Sequence, residues 1–307
     1  MLLYVFRRLL TAIPTLFVIV TLAFFLIRVA PGGPFNQERG LSPVIQANLE
    51  AQFGLNDPLW RQYLNYLNNL LHGSFGPSYN MPDFTVGELF AKGLPISIQI
   101  GTSALILALL LGSTLGVIAA LNQNRKTDYG VIALATAGST IPTFVIAPII
   151  QLVFGLSWKL LPIGGWGDGA LINKVGPVLT LALPQIAIVA RLMRGSMIES
   201  LRSHHIRTAR ALGLSEWSVV VKHAVRGAIL PIVSYAGPTA AALLTGSIIV
   251  ETIFAIPGVG RYFVEAALNR DYTLVMGTVV MIAVFTILFN LIVDVLYAFV
   301  DPRVRYD

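Results

Sequence analysis

The residues IRTARALGLSEWSVVVKHAVRGAILP, 206–231, place Arg207, Arg210, Lys222 and Arg226 on one short stretch, broken by Gly213 and closed by Pro231. Fixed positive charge at this density can rest on anionic headgroups or dock against another protein. Two carboxylates, Glu251 and Asp294, fall in otherwise apolar runs, where a charge is expensive and often functional. They could relay a proton, contact an amine, or be held by hydrogen bonds inside a helix bundle. Thr245 and Ser247, in ALLTGSIIV at 242–250, could line a polar path or simply pack. Other chemistry is poorly supported. His204 and His205 are adjacent, whereas metal ligands on one helix face need a spacing of three or four. The run GGWGDG at 164–169 lacks the Lys of a phosphate-cradling loop and reads as a turn. Cysteine is absent, which excludes disulfides, thiolate metal sites and Cys nucleophiles. No Ser/His/Asp constellation is evident.

The elements that position these groups are membrane helices. The chain is 55% hydrophobic and only 12% charged, about half the charged fraction of a soluble domain. A spanning helix needs about 20 mostly apolar residues. Six stretches qualify: 9–29, 97–121, 131–156, 172–193, 229–253 and 274–300. The first is too long for a signal-peptide core and reads as a retained helix. Lys and Arg concentrate at Arg7 and Arg8, at Arg125 and Lys126, between Arg191 and Arg226, and at Arg303 and Arg305. With six helices these all fall on one side, and the positive-inside rule makes that side, with both termini, cytoplasmic. The net charge of +6 is then topological and implies no nucleic-acid partner.

Three parts follow: a cytoplasmic N-terminus with the first helix (1–30), an outside segment (31–96), and a membrane domain (97–307) interrupted by a cytoplasmic loop at about 195–228. The outside segment opens on PGGP, a helix stop. Within it, PLWRQYLNYLNNLLHG carries Trp60, Tyr63, Leu64, Leu67, Leu70 and Leu71 near one face, which predicts a helix lying on the outer surface. Gly112 and Gly116 in the second span permit close packing, within the chain or at a dimer seam.

In the basic loop, Ile206, Ala209 and Leu212 have helical spacing, with Arg207 and Arg210 facing elsewhere. Gly213 suits the left-handed position past a helix end. Ser215 is a good N-cap for a second helix, and Glu216 in its first turn favours the dipole. That helix carries Trp217, Val220, Val221, Ala224 and Ala228 as an apolar stripe. The product is a helix–turn–helix on the cytoplasmic surface.

This stretch resembles the cytoplasmic loop of binding-protein-dependent ABC importer permeases, whose general pattern is E-A-A followed three residues later by Gly. The matching positions are Arg207-Thr208-Ala209 and Gly213; only Ala209 and Gly213 match the general pattern. RTARALGL and HAVRGAILP are similar to the peptide (oligopeptide, dipeptide, nickel) branch of that family. FGLNDPLWRQYLNYLNNLLHGSFGPS at 53–78, ETIFAIPGVGRYFVEAALNRDY at 251–272 and NLIVDVLYAFVDPRVR at 290–305 agree, so the resemblance runs over essentially the whole chain.

The resemblance implies an all-α fold of six transmembrane helices, of the type I (MetI-like) class, in a bacterial inner membrane. It implies an oligopeptide importer subunit, or a dipeptide or nickel counterpart, that is not itself an ATPase. Arg207, Thr208, Ala209, Arg210, Ala211, Leu212 and Gly213 would form a coupling helix docked on a separate ATPase. The implied partners are a second similar permease, two ATPase subunits that bind the ATP and Mg, an external peptide-binding protein, and the peptide. No cofactor is implied on this chain. Arg207 replaces the acidic residue of the general motif, so no salt bridge is carried over to it. An ion-coupled secondary transporter is the rival of a different class; it would need mid-membrane charges or broken helices.

Overall fold

The computed structural model describes residues 2–29, 33–35, 43–81 and 83–300. Arg303 and Arg305, and Pro31 and Gly32 of PGGP, lie outside the described residues. Every regular element among the described residues is a helix, apart from one isolated bridge between Pro77 and Thr85. Five helices are long and apolar enough to span a bilayer, and a bent pair makes a sixth span if counted as one.

The first span is α1 (Leu2–Val29), followed by the short α2 (Pro43–Gln52) and α3 (Leu59–Leu71). The face of α3 turned inward is rotated from the one expected: Tyr63, Leu67 and Leu70 of that stripe are half-buried, and Tyr66 joins them. Leu64, Leu71 and Trp60 are exposed, and Tyr63 and Tyr66 pack on Phe24 of α1 with ring centroids 5.2 and 5.9 Å apart. Tyr63 also shares a 2.6 Å hydrogen bond with the Thr21 hydroxyl. Aromatic stacking on α1 decides the orientation, because it combines ring burial with a partner for the phenol.

α4 (Val86–Leu121) begins well before 97, inside the segment read as an outside connection. Its start is a capping box: the Thr85 hydroxyl accepts from the Glu88 backbone N–H, and the Glu88 carboxylate accepts from the Thr85 N–H at 2.7 Å. The third stretch is not one straight helix. α5 (Lys126–Thr140) and α6 (Thr143–Ile150, continued by π-helical turns over Gln151–Ser157) meet at 101°. Ile141 precedes Pro142 and is pushed to extended backbone (φ −77°, ψ 122°), which ends α5.

α7 (Leu171–Leu201) keeps Pro177 and Pro184 inside it and runs eight residues past 193. The start of the loop expected at about 195 is therefore helical as far as Leu201, and Arg191 and Arg194 both sit on α7. The basic segment follows as α8 (His204–Ala211), then α9 (Glu216–Ser218) and α10 (Val225–Ala228), joined by π-helical turns over Val219–Ala224. The fifth span is broken into α11 (Leu230–Leu244) and α12 (Ile248–Ile253); the short α13 (Val259–Leu268) and the last span α14 (Tyr272–Val300) complete the chain.

The bundle is built on α4 and α7, which pack along each other. The glycine question resolves within the chain: a Cβ at Gly112 would lie 2.7 Å from Val189 Cβ, and one at Gly116 would lie 2.6 Å from Ala190 O. Both glycines let α7 approach α4. A second tie is ionic. Asp128, in the first turn of α5 and 1% exposed, receives both Nε and an Nη of Arg194 on α7 at 2.5 and 2.7 Å, and the Asn124 backbone N–H at 2.8 Å. Bidentate pairing fixes the angle of the two helices as well as their separation. Asp128→Ala is expected to destabilise the chain in detergent by roughly 2–3 kcal/mol, read as thermal unfolding, because Arg194 is left without its partner. Unchanged unfolding would show that α5 is held by packing alone.

Candidate functional site

α8 is a short amphipathic helix with two anchors. Ile206 and Ala209 are buried against Met193 and Met197 of α7 and against Val219, Val220 and Ala224. Arg207, Thr208, Arg210, Ala211, Leu212 and Gly213 are all exposed. The helix ends as the spacing predicts. Gly213 has φ +75°, its N–H donates to Arg210 O at 3.0 Å, and Leu214 N–H donates to Ala209 O at 3.3 Å. That pair of bonds is a Schellman cap, which needs a left-handed residue at the Gly213 position. The Ser215 side chain then caps α9 through Ser218 N–H.

The stripe of the second helix is re-registered by its π-helical turns. Val219, Val220, Ala224 and Ala228 are buried, whereas Trp217 is 77% exposed and Val221 is on the surface. A wider turn displaces every later side chain from the 3.6-residue positions. One contact has no counterpart in the sequence reading. Arg210 grips Glu216 with Nε and an Nη at 2.8 and 3.1 Å. This bond holds the Glu216 carboxyl below its ordinary range and raises Arg210 in turn. It closes the Gly213 turn from outside, so α8 and α9 present a single surface. Leu212 and Trp217, close in sequence to the two ends of that bridge, are exposed. The arrangement is a rigid, basic knuckle with apolar shoulders, suited to insertion into a complementary groove.

The remaining candidates gather at the break in the fifth span. Thr245 is buried and its hydroxyl donates to Ala241 O at 2.8 Å. Gly246 takes φ +97°, and the Ser247 side chain caps α12 by accepting from Val250 N–H. Glu251 is buried, 2% exposed. One carboxyl oxygen accepts from the Ser97 hydroxyl at 2.8 Å; the other accepts from Gly260 N–H at 2.8 Å and Arg261 N–H at 3.3 Å. Ser97 in turn accepts from Val259 N–H at 3.0 Å. Ser97 and Glu251 together thus satisfy the first three N–H groups of α13, which would otherwise be orphaned. Gly258 admits this carboxyl, since a Cβ there would sit 2.3 Å from Glu251 Oε2.

Asp294 accepts from Arg8 Nε at 2.9 Å and joins α14 to α1, far from α8 in sequence. The structure therefore brings Thr245, Ser247 and Glu251 to one knot and leaves Asp294 elsewhere. His205 meets the Ser203 hydroxyl, and no group of three potential metal ligands occurs among the described residues. The sequence reading did not single out Ser97, Asp128 with Arg194, or Asp271. Asp271 is fully buried, caps α14 through Leu274 N–H at 3.1 Å, and accepts from Ser78 and from Asn80 N–H. An Asp one residue before an apolar helix is a readable cap signal; its contacts with Ser78 and Asn80 are not local.

Comparison with known proteins agrees with this architecture. Residues 112–306 match the family described as the binding-protein-dependent transport system inner membrane component, and residues 1–100 match the N-terminal region of such membrane components. The chain is 50% identical over 306 residues to the oligopeptide transport system permease protein OppB of Escherichia coli (strain K12), covering 100% of both. Identity to OppB of Haemophilus influenzae is 47%, again over 100% of both chains. The dipeptide transport system permease protein DppB of Bacillus subtilis (strain 168) is 43% identical over 98% of this chain and 97% of its own. Among solved structures, the inward-facing MetNI methionine ABC transporter aligns with a TM-score of 0.56 at 16% identity, over 69% of this chain and 96% of the other. That likeness speaks to the fold of the helix bundle alone. With a family match across most of its length and full-length relatives near half identity, this chain belongs to the binding-protein-dependent transport system inner membrane components.

Proposed function

We propose that the chain is the membrane-spanning permease subunit of an ATP-driven oligopeptide importer. The observation that carries the reading is full-length similarity to two oligopeptide permeases, with α8 presented as an exposed, capped, basic knuckle. In this reading α8, from Arg207 to the Gly213 turn, docks on a cytoplasmic ATPase subunit and passes its closure to α7. ATP and Mg belong to two such partner subunits. A second, similar permease completes the pathway, and an external binding protein delivers the peptide. The charge asymmetry of the loops supports cytoplasmic termini. Thr245 and Ser247, at the break in the fifth span, are the candidates to line the path. Glu251 and Asp294 act on it by holding its walls, through α13 and through Arg8.

Purification from native membrane in mild detergent tests the reading. A second six-helix permease and subunits carrying G-x-x-x-x-G-K-[ST] are expected to co-elute. Recovery of the chain alone, or only with itself, would overturn the docking role of α8. Similarity to a dipeptide permease favours a second reading with a shorter substrate. Competition of labelled-tripeptide uptake by dipeptides and by pentapeptides separates the two. Uptake that persists without ATP and follows a proton gradient would instead select a secondary transporter.

A further inference from the structure

Two cavities meet at Arg28, near the last turn of α1 where α3 crosses it. One, of about 370 Å³, is lined by Glu50, which makes it electrostatically mixed. The other, of about 210 Å³, is lined by Arg28, Gln62, Asn65, Tyr66, Asn69 and Tyr79 among others, and by no acidic side chain among the described residues.

Two side chains of the second cavity, Arg28 and Tyr66, carry donors without a full set of partners. Arg28 stacks its guanidinium over the Phe24 ring at 3.5 Å and donates from Nε to Gln62 Oε1 at 3.1 Å. Gln62 is itself pinned, because its amide donates to Leu55 O and Asp57 O at 2.9 and 2.8 Å. The only other hydrogen bond of Arg28 among the described residues is a long one, 3.5 Å, to Phe24 O, and no carboxylate among them lies within ion-pair distance. A guanidinium has five N–H donors in a planar fork, so most of this fork is unspent. The Tyr66 hydroxyl is buried and has no hydrogen-bond partner among the described residues. Burial raises Tyr66, and it pushes Tyr79 up to about 12, so both phenols stay protonated and remain donors. A planar cationic fork, positioned by a ring below and an amide beside it, next to a waiting O–H donor, complements a group with two acceptor oxygens and one negative charge.

We propose that this cavity binds a peptide carboxylate, either the C-terminal group or an acidic side chain. The ligand class rests on the peptide-permease reading above; the site itself rests on Arg28 and Tyr66.

The test uses the full chain in lipid nanodiscs and saturation-transfer NMR with three probes: Ala-Ala-Ala, its C-terminal amide, and Ala-Glu-Ala amide. Ala-Ala-Ala is expected to bind, and its amide to bind about tenfold more weakly or worse, as for loss of a hydrogen-bonded charge. Binding of Ala-Glu-Ala amide would extend the site to side-chain carboxylates; its failure would restrict the site to the C-terminus. Arg28→Gln should abolish the difference between acid and amide. Tyr66→Phe keeps the ring on Phe24 and should weaken the acid alone by several-fold. If Arg28→Gln does not fold, Arg28→Lys retains the charge without the fork and should still lose most of the preference. Equal binding of acid and amide by the unaltered chain, or an acid preference surviving in both Arg28→Gln and Tyr66→Phe, overturns the site. ATP-driven peptide uptake by the unaltered complex in that case would leave the permease reading intact and remove only this inference.

Discussion

Glu251→Ala is expected to lower stability by roughly 3–5 kcal/mol, the range for breaking a buried, hydrogen-bonded charge and leaving its partners unmet. The substitution strips acceptors from Ser97, Gly260 and Arg261 at once and opens a void among Gly246, Gly258 and Gly260. Glu251→Gln discriminates between charge and geometry. Its carbonyl can still receive Gly260 and Arg261 N–H while its amide donates to the Ser97 hydroxyl, which already accepts from Val259. That variant should lose only about 1 kcal/mol, the net value of one ordinary hydrogen bond. Thermal unfolding in detergent reads both. Equal and small losses for Ala and Gln would mean that α13 is held by packing and that the carboxyl is incidental.

Gly213→Asp should leave membrane insertion intact and abolish ATP-driven uptake. The position has φ +75°, and a Cβ there would meet nothing within 4 Å, so no clash is created. The conformational cost is less than the roughly 1–2 kcal/mol of an ordinary residue in left-handed backbone, because Asp and Asn both tolerate it, so the larger effect is that of the added charge. It falls on the Schellman cap and on the Arg210–Glu216 bridge beside it, which a new carboxylate competes to replace. None of the spanning helices depends on that cap. Membrane-fraction quantity and uptake by the reconstituted complex should therefore separate: the first normal, the second lost. Gly213→Asn, which tolerates left-handed backbone and adds no charge, should retain a measurable part of uptake. Normal uptake by Gly213→Asp would remove α8 from the coupling role.

The elements most legible in the sequence are those governed by local rules. Six apolar runs announced the spans because lipid demands about twenty residues of one chemistry. The end of α8 at Gly213 and the Ser215 cap were legible because each is a backbone requirement met by one residue type. Boundaries slipped where a helix leaves lipid and apolarity no longer marks it. α4 starts at Val86 under a T-x-x-E capping signal that was present in TVGE, and α7 runs on to Leu201 through the polar stretch 195–201 taken as the start of the loop. The bend at Ile141–Pro142 was also signalled by its proline, but its size of 101° is set by what α5 and α6 pack against. The knot at Glu251 was out of reach, since its key partner Ser97 lies 154 residues away. The exposed face of the second basic helix was misread for a different reason: its π-helical turns break the periodicity on which such a reading depends.

α7 has 31 residues and passes into α8 through Arg202 and Ser203 alone. At about 1.5 Å per residue it is about 46 Å long, and a hydrocarbon core of about 30 Å leaves roughly a third of it beyond the lipid. Such a rod is a lever whose fulcrum is the seam with α4. One degree of tilt about that seam at Val189, twelve residues and about 18 Å from Leu201, carries α8 through about 0.3 Å, by the same rise per residue. In the proposed docking role, a segment on a flexible tether could be pulled without moving the bundle, whereas one joined to α7 by two residues would pass its displacement to that helix.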